Sequence, residues 1–313
     1  MPCAAGRRDA EIFCADVLSG LAESPKRLSP KYFYDAAGSA LFDRIVELPE
    51  YYPTRCELSI LRAHAPAIAA LFPPGCALIE FGAGSSRKAR ILLAAAAHIE
   101  TYVPIDISGD FLHEDIAHLR RDFPRLAVHP LVADFTRDFE LPQIGPKVGF
   151  FPGSTIGNFE PYEALAFLRR AGEMLGPGAL LVIGFDLVKS THVLEAAYND
   201  AAGVTAAFNL NLLTRINREL CADFDLASFA HRAFYDRARS RIEMHLVSLR
   251  RQIVRLNGRA IAFQEGETIH TENSYKYTLG SFEALARDAN WSGVETWSDG
   301  LFCVQALRTT RDG

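Results

Sequence analysis

Between Ala77 and Asp186 the chain alternates short apolar runs with longer amphipathic ones. The apolar runs are ALIEFGAG (77–84), TYVPIDI (101–107), LAVHPLVAD (126–134), KVGFFPG (147–153) and ALLVIGFD (179–186). Between them, SRKARILLAAAA, SGDFLHEDIAHLRRDF and PYEALAFLRRAGEMLG carry apolar residues at helical spacing. Strand–helix–strand repetition of this kind predicts a parallel sheet with helices on both faces, a doubly wound, Rossmann-like α/β domain.

The flanking segments have a different texture. GSALFDRIVEL is helical in spacing, PEYYPTR is rich in turn residues, and SRIEMHLVSLRRQIVRL (240–256) begins with strand-like alternation. Residues 9–58 and 189–278 are therefore expected to form a second, smaller α+β substrate-binding lid domain, with 59–188 and 279–313 forming the sheet domain. SFEALARDANW reads as a helix with Ser281 as its N-cap, and WSGVETWSDGLFCVQALR as a strand pair that returns to the sheet.

A chain of 313 residues, 49% of them apolar, can build one large core or two modest ones. Its formal net charge of −5 gives no general attraction to nucleic acid or anionic lipid. The expected partner is a small molecule, with no nucleic acid and no membrane, and the chain is expected to be monomeric. Cys3, Cys14, Cys56, Cys76, Cys221 and Cys303 form no C-x-x-C pair, which argues against a zinc knuckle or a disulfide framework and fits a reduced cytoplasm. Runs such as GALLVIGF (178–185) are too short to span a bilayer, and MPCAAGRRDAEIF lacks the apolar region of a secretory signal.

In a doubly wound sheet, ligands sit beyond the carboxyl ends of the strands. Those ends carry EFGAGSSRK, PIDIS, ADF, PGSTIGN and FDLVK. The turn at Gly82 and Gly84 lets a ligand approach the backbone, although a tight structural turn explains a lone Gly-x-Gly about as often. Asp106 follows about 20 residues later, where a carboxylate can accept from both ribose hydroxyls; its bland alternative is a helix cap. Arg87 stands where the dinucleotide fingerprint has its last glycine, and no phosphate-binding G-x-x-x-x-G-K-[ST] loop is present. A ligand with ribose but no phosphate fits better. Asp134 is placed to accept from an adenine amino group, with Phe135 as a flat contact, though a solvated loop acid fits Asp134 as well. S-adenosylmethionine has ribose, adenine and a sulfonium without phosphate, so a methyl donor suits these positions better than a nicotinamide.

EFGAGSSRKARILL, PIDIS, ADF and FPGSTIGNFEP together resemble the histidine-specific methyltransferase family, whose members trimethylate the α-amino group of histidine to hercynine in ergothioneine biosynthesis. The resemblance continues through PKYFYDAAGSALFDRIVELPEYYPTR (30–55), AAYNDAAGVTAAFNLNLLTRINREL (196–220), RIEM (241–244) and TENSYKY (271–277), nearly the whole chain. It implies that Gly82, Gly84, Lys88, Asp106, Asp134 and Phe135 hold S-adenosylmethionine. It further implies that Tyr51, Asn158 and Tyr198 hold the acceptor amino acid and that Glu272 and Ser274 grip its imidazole. Tyr34 and Met244 match positions lining the family's substrate pocket.

The residue types suit that chemistry. Methyl transfer from a sulfonium to a neutral amine needs alignment and desolvation rather than a protein nucleophile. The Asn158 carbonyl can accept from the amine and aim its lone pair, and a tyrosine hydroxyl such as that of Tyr34 can relay the amine proton to water. Glu272 and Ser274 can satisfy both imidazole nitrogens, and a buried polar pair of this kind rejects side chains that cannot complete it. Each residue has a plainer reading beside this one. Asn158 could cap the helix starting near Pro161, Tyr51 and Tyr198 could be packed aromatics, Met244 could be core, and exposed strands often carry pairs like Glu272 and Ser274. The nine histidines form no pair at metal-ligand spacing, so no metal is expected. The rival functions are methylation of another aromatic amino acid or related amine, non-catalytic ligand binding, and nicotinamide oxidoreduction.

Overall fold

The computed structural model describes residues 4–310 apart from 108 and 138. In chain order its first elements are α1 (Ala4–Ala22), β1 (Lys26–Arg27), α2 (Ala36–Ile45) and α3 (Tyr52–Ala69). The alternating segment follows as β2 (Cys76–Phe81), α4 (Ala89–Ala95), β3 (Ile99–Asp106), α5 (Gly109–Asp122), β4 (Ala127–Val128), β5 (Leu131–Val132), β6 (Lys147–Phe151), α6 (Pro161–Leu175) and β7 (Leu180–Asp186). Next come α7 (Thr191–Ala196), α8 (Val204–Leu220), β8 (Phe229–Asp236), β9 (Arg241–Ser248), β10 (Gln252–Leu256), β11 (Arg259–Phe263) and β12 (Thr268–Tyr275). The chain closes with α9 (Leu279–Asp288), β13 (Trp291–Ser298) and β14 (Phe302–Thr309). Two compact units emerge, Met1–Tyr52 with Ser190–Ser274 and Pro53–Lys189 with Tyr275–Gly313.

The second unit is the α/β domain. Its eight-stranded sheet runs β13-β14-β7-β6-β2-β3-β4, with β5 also paired to β3. The strands β2, β3, β6 and β7 pair in parallel, whereas β14 enters antiparallel between β7 and β13. The chain's direction of winding reverses between β2 and β6, which marks the switch point. Every residue of β2 and β7 is buried. Leu78, Phe150, Val182 and Val304 pack on one face with Leu61 and Ile68 of α3 and Leu92 of α4. Ile79, Phe151, Ile183 and Phe185 pack on the other with Phe167 of α6 and Phe282 of α9. Continuous apolar runs are the pattern expected of strands covered on both sides.

Two local expectations are corrected. The run 126–134 is not one strand: Pro130 supplies no N–H to a ladder, so β4 pairs with Thr101 and Tyr102 while β5 pairs with Ile105 and Asp106. The N-cap of α9 is Thr278 rather than Ser281. The Thr278 hydroxyl accepts from the Ser281 N–H at 3.0 Å, and Ser281 Oγ accepts from the Thr278 N–H at 2.9 Å, a reciprocal capping box.

The first unit is α+β. A four-stranded sheet, β1-β12-β9-β8, carries a hairpin of β8 and β9 paired over its full length, from Phe229↔Ser248 to Asp236↔Arg241. Helix α8 buries Phe208, Leu212, Leu213 and Ile216, and the Phe208 ring stacks on Phe33 at 4.5 Å. Asp35 ties this unit together. It caps α2 by accepting from Gly38 N–H at 2.8 Å, accepts from Asn211 Nδ2 at 2.8 Å, and pairs with Arg218 Nη2 at 2.7 Å. Burial opposes ionisation of Asp35, but the Arg218 guanidinium and the Gly38 and Asn211 donors hold its carboxyl below the ordinary range. No helix among the described residues is long and apolar enough to cross a membrane.

Asp35→Ala removes the cap and leaves Asn211 and Arg218 without their acceptor, which should cost about 2–3 kcal/mol in urea unfolding. Asp35→Asn retains the cap and should recover part of that loss.

Candidate active site

The carboxyl edge of the parallel sheet is built from left-handed turns. After β2, Gly82 and Gly84 take φ of +72° and +46°, conformations that side chains seldom adopt. The Gly84 N–H donates to Asp106 Oδ2 at 2.9 Å, joining the glycine turn to the end of β3. A Cβ at Gly82 would lie 3.3 Å from the Phe135 ring, whereas one at Gly84 would meet no atom within 4 Å. One side of the turn is thus closed by an aromatic ring and the other is open. Asp134 is engaged locally: its Oδ1 accepts from the Thr136 N–H at 3.0 Å, and Arg137 Nε lies 3.5 Å from its Oδ2. Lys88, beside the start of α4, pairs with Glu57 at 2.6 Å.

The loop after β6 is held at several points. Gly153 has φ of +86° and Ser154, without the licence of a glycine, has +58°. Ser154 Oγ accepts from the Asp186 N–H at 2.9 Å, and a Cβ at Gly157 would lie 2.8 Å from the Tyr275 carbonyl. Asn158 ends the short 3-10 turn Thr155–Asn158 and does not cap the next helix. Glu160 does so, with Glu163 completing a capping box and the Tyr275 hydroxyl donating to Glu160 Oε2 at 2.6 Å. Asn158 is half-buried, and no hydrogen bond within the described residues engages its amide, so both its carbonyl and its N–H groups can serve a ligand.

A further polar group sits beside this loop. Asp186, at the end of β7, is fully buried and lies 2.5 Å from Lys189 Nζ and 2.8 Å from Lys276 Nζ. Burial pulls the Lys189 ammonium down to about 8 against the attraction of Asp186.

In the other unit, rings link three of the remaining candidates. Tyr34 meets Phe42 at 5.7 Å, Phe42 meets Tyr51 at 6.3 Å, and Tyr51 meets Tyr198 at 6.3 Å. Tyr198 is 7% exposed, and its hydroxyl donates to Ser274 Oγ at 2.7 Å. His231 Nε2 binds the Tyr198 carbonyl at 2.9 Å. Asp200 accepts from Val204 N–H and Thr205 N–H, both at 2.8 Å, and so anchors the turn between Tyr198 and α8. Met244 is 2% exposed in the middle of β9. Glu272 is half-buried on β12, and its carbonyl accepts from His270 Nε2 at 3.1 Å.

A model of histidine-specific, S-adenosylmethionine-dependent methyltransferases matches residues 13–309. The chain belongs to that family. It is 41% identical over 296 residues to the histidine N-alpha-methyltransferase of Mycolicibacterium smegmatis, spanning 93% of this chain and 92% of that one. With the histidine N-alpha-methyltransferase of Mycobacterium tuberculosis the identity is 40%, over 91% of this chain and 90% of the relative. Among solved structures, the CcbJ methyltransferase from Streptomyces caelestis superposes with a TM-score of 0.48 at 18% identity, over 80% of this chain and 90% of that one.

As a member of this family the protein is an S-adenosylmethionine-dependent methyltransferase acting on a small amino-acid substrate. The glycine turn fits a nucleoside donor: a Cβ would occupy the open side of Gly84, and Asp106 and the Phe135 ring flank the same turn. Burial pushes the Cys56 and Cys303 thiols up to about 12 and Cys76 to about 11. Cys14 and Cys221 are likewise free, and Cys3 lies outside the described residues.

Three functional-looking groups escaped the sequence patterns. Glu57 and Asp186 sit in ordinary amphipathic and apolar runs, and only long-range contacts give them charged partners. The histidines also differ from the expectation of no clustering. Strands β9 and β12 bring Glu243, His245 and His270 together with ligand-type atoms within 4.8 Å. Arg241 Nε lies 2.9 Å from Glu243 Oε1, and His245 Nε2 lies 2.9 Å from Glu243 Oε2, so this carboxylate already has a cationic partner. Long sequence separation hides such a cluster from any spacing rule.

Burial lowers the proton affinity of His231, His245 and His270, and nearby positive charge lowers it further, from Arg232 and Arg241 at His245 and from His245 and Arg241 at His270. In the unfolded chain these side chains titrate near 6.5, so below that pH the unfolded state binds more protons and stability is lost. Each histidine should contribute up to about 1.4 kcal/mol per pH unit below 6.5 until its lowered folded value is reached. Urea midpoints measured from pH 7.5 to 5.5 should fall accordingly, and a His245→Gln/His270→Gln variant should show a flatter decline.

Proposed function

We propose that this methyltransferase adds three methyl groups to the α-amine of L-histidine, yielding hercynine. The observation that carries the reading is Asn158: a half-buried amide, unengaged within the described residues, on a loop held by Ser154, Gly157 and Glu57. An amine with its own lone pair needs orientation more than activation.

S-adenosylmethionine supplies a methyl group on a positively charged sulfur. In this reading Gly82 and Gly84 give its nucleoside close access to the backbone, Asp106 accepts from the ribose, and Asp134 and Phe135 address the adenine. Lys88 offers its ammonium to the donor's carboxylate. Asn158 accepts from the α-amine and points its lone pair at the methyl carbon. As the nitrogen–carbon bond forms, the carbon–sulfur bond breaks and its electron pair stays on sulfur. The new ammonium must lose a proton before the next round, and the Tyr34 hydroxyl passes it to water. Tyr51 and Tyr198 hold the amino acid, Met244 lines its pocket, and Glu272 with Ser274 takes the two imidazole nitrogens. The Tyr198–Ser274 hydrogen bond supports this role, because it fixes the serine hydroxyl's direction in a buried setting. A reduced cytoplasm and a monomeric chain suit the reaction, which calls for no nucleic acid. The second reading keeps the chemistry and changes the acceptor to another aromatic amino acid or related amine; an indole or phenol would not use both Glu272 and Ser274.

Incubation with S-adenosylmethionine and each of the twenty amino acids should give a mass gain of three methyl groups on histidine alone. No methylation of any amino acid would sink the proposal. Glu272→Ala should raise the KM for histidine about 10–100-fold, as for a lost buried hydrogen-bond partner, while donor binding changes little. Collapse of donor binding instead would place Glu272 elsewhere.

A further inference from the structure

Glu57 is a buried acid, 1% exposed, that the chemistry above does not use. It projects from α3, and both its carboxylate oxygens accept from the Gly153 N–H, at 2.9 and 3.0 Å. Its Oε2 also pairs with Lys88 Nζ at 2.6 Å. One carboxylate therefore connects the lysine after the glycine turn with the loop that ends in Asn158.

The slot that admits this carboxylate is made by an absent side chain. Gly184 lies inside β7, where every residue is buried and a glycine weakens a strand by about 0.5–1 kcal/mol relative to alanine. A Cβ there would lie 2.2 Å from Glu57 Oε1 and 3.1 Å from its Cδ. On the loop side, a Cβ at Gly153 would lie 3.3 Å from Lys88 Nζ. Two glycines thus clear the space in which an acid, a lysine and a backbone N–H meet.

We propose that Glu57 is a positioning residue: its carboxylate aims the Lys88 ammonium at the donor's carboxylate and fixes the Gly153–Asn158 loop for the acceptor amine. The proposal rests on the reading that Lys88 holds the donor. An ammonium on a flexible four-carbon stem has three N–H donors and no direction of its own. Paired to a buried carboxylate it keeps one N–H on Glu57 and presents the others from a fixed point. The same carboxylate binds the N–H of Gly153, which is in a left-handed conformation five residues before Asn158. A glutamine at this position has the right size and still accepts from the Gly153 N–H, but it carries no charge to pair with the ammonium.

The test compares Glu57→Gln, Gly184→Ala and Lys88→Ala by steady-state kinetics, by calorimetric binding of S-adenosylhomocysteine and by thermal midpoint. Glu57→Gln should weaken S-adenosylhomocysteine binding and raise the donor KM about 10-fold, in line with loss of a charge-assisted contact, while the histidine KM stays within about twofold. Gly184→Ala, whose Cβ crowds the Glu57 oxygen that serves the Gly153 N–H, should raise both KM values, because it disturbs the loop as well as the lysine. Equal changes in both KM values for Glu57→Gln, or donor constants at the wild-type level with only a lower thermal midpoint, would overturn the proposal and leave Glu57 a structural acid, as would unchanged KM values in Gly184→Ala. Lys88→Ala separates the two claims. If it weakens S-adenosylhomocysteine binding and Glu57→Gln does not, the positioning role is wrong; if it has no effect, the donor role of Lys88 itself is wrong.

Discussion

Strands covered on both faces leave a ligand only one place to act. Each residue of β2 and β7 is buried, so recognition is confined to the carboxyl edge, where backbone and loop groups emerge. That edge is irregular by necessity. Gly82, Gly84, Gly153 and Ser154 all take left-handed conformations; the Gly82 N–H still donates to the Ile105 carbonyl of β3 at 2.9 Å, whereas those of Gly84 and Gly153 turn to side chains. Asp106 receives one of those groups and Glu57 another. Carboxylates at the edge therefore take over the hydrogen bonds that the sheet can no longer provide.

Two of the acids at this edge are buried, and the chain pairs both with lysines. Glu57 faces Lys88, and Asp186 faces both Lys189 and Lys276. Removing one partner from a buried pair leaves the other uncompensated, so these contacts resist distortion even where their net stabilisation is small. For a methyl transfer that matters more than reactivity. A sulfonium carbon and an amine need little help beyond alignment, and the protein offers amides and hydroxyls on a loop whose course is set by several independent contacts.

The layered architecture is legible in the sequence because it depends on contiguous patterns: five apolar runs, three amphipathic ones, and a closing strand pair. The exceptions have local physical causes. Pro130 divides one expected strand, and Thr278 rather than Ser281 starts α9 because its hydroxyl reaches the N–H three residues on. Asn158 reads as a cap from its position before Pro161, but Glu160 satisfies that helix start and leaves the asparagine available. Long motifs such as FPGSTIGNFEP point to the family. Glu57, Asp186 and the Glu243–His245–His270 group are silent in the sequence, since their chemistry exists only after distant strands and helices meet. The one visible hint is Gly184, a glycine within an otherwise unbroken apolar strand.

That glycine makes two distant positions dependent on each other. Any side chain at 184 displaces the carboxylate at 57, and a shorter acid there no longer spans to both Gly153 and Lys88. Neither residue can change alone without loss, so each constrains the substitutions open to the other. Transplanting this edge onto another sheet of the same architecture would require moving the missing methyl along with the carboxylate.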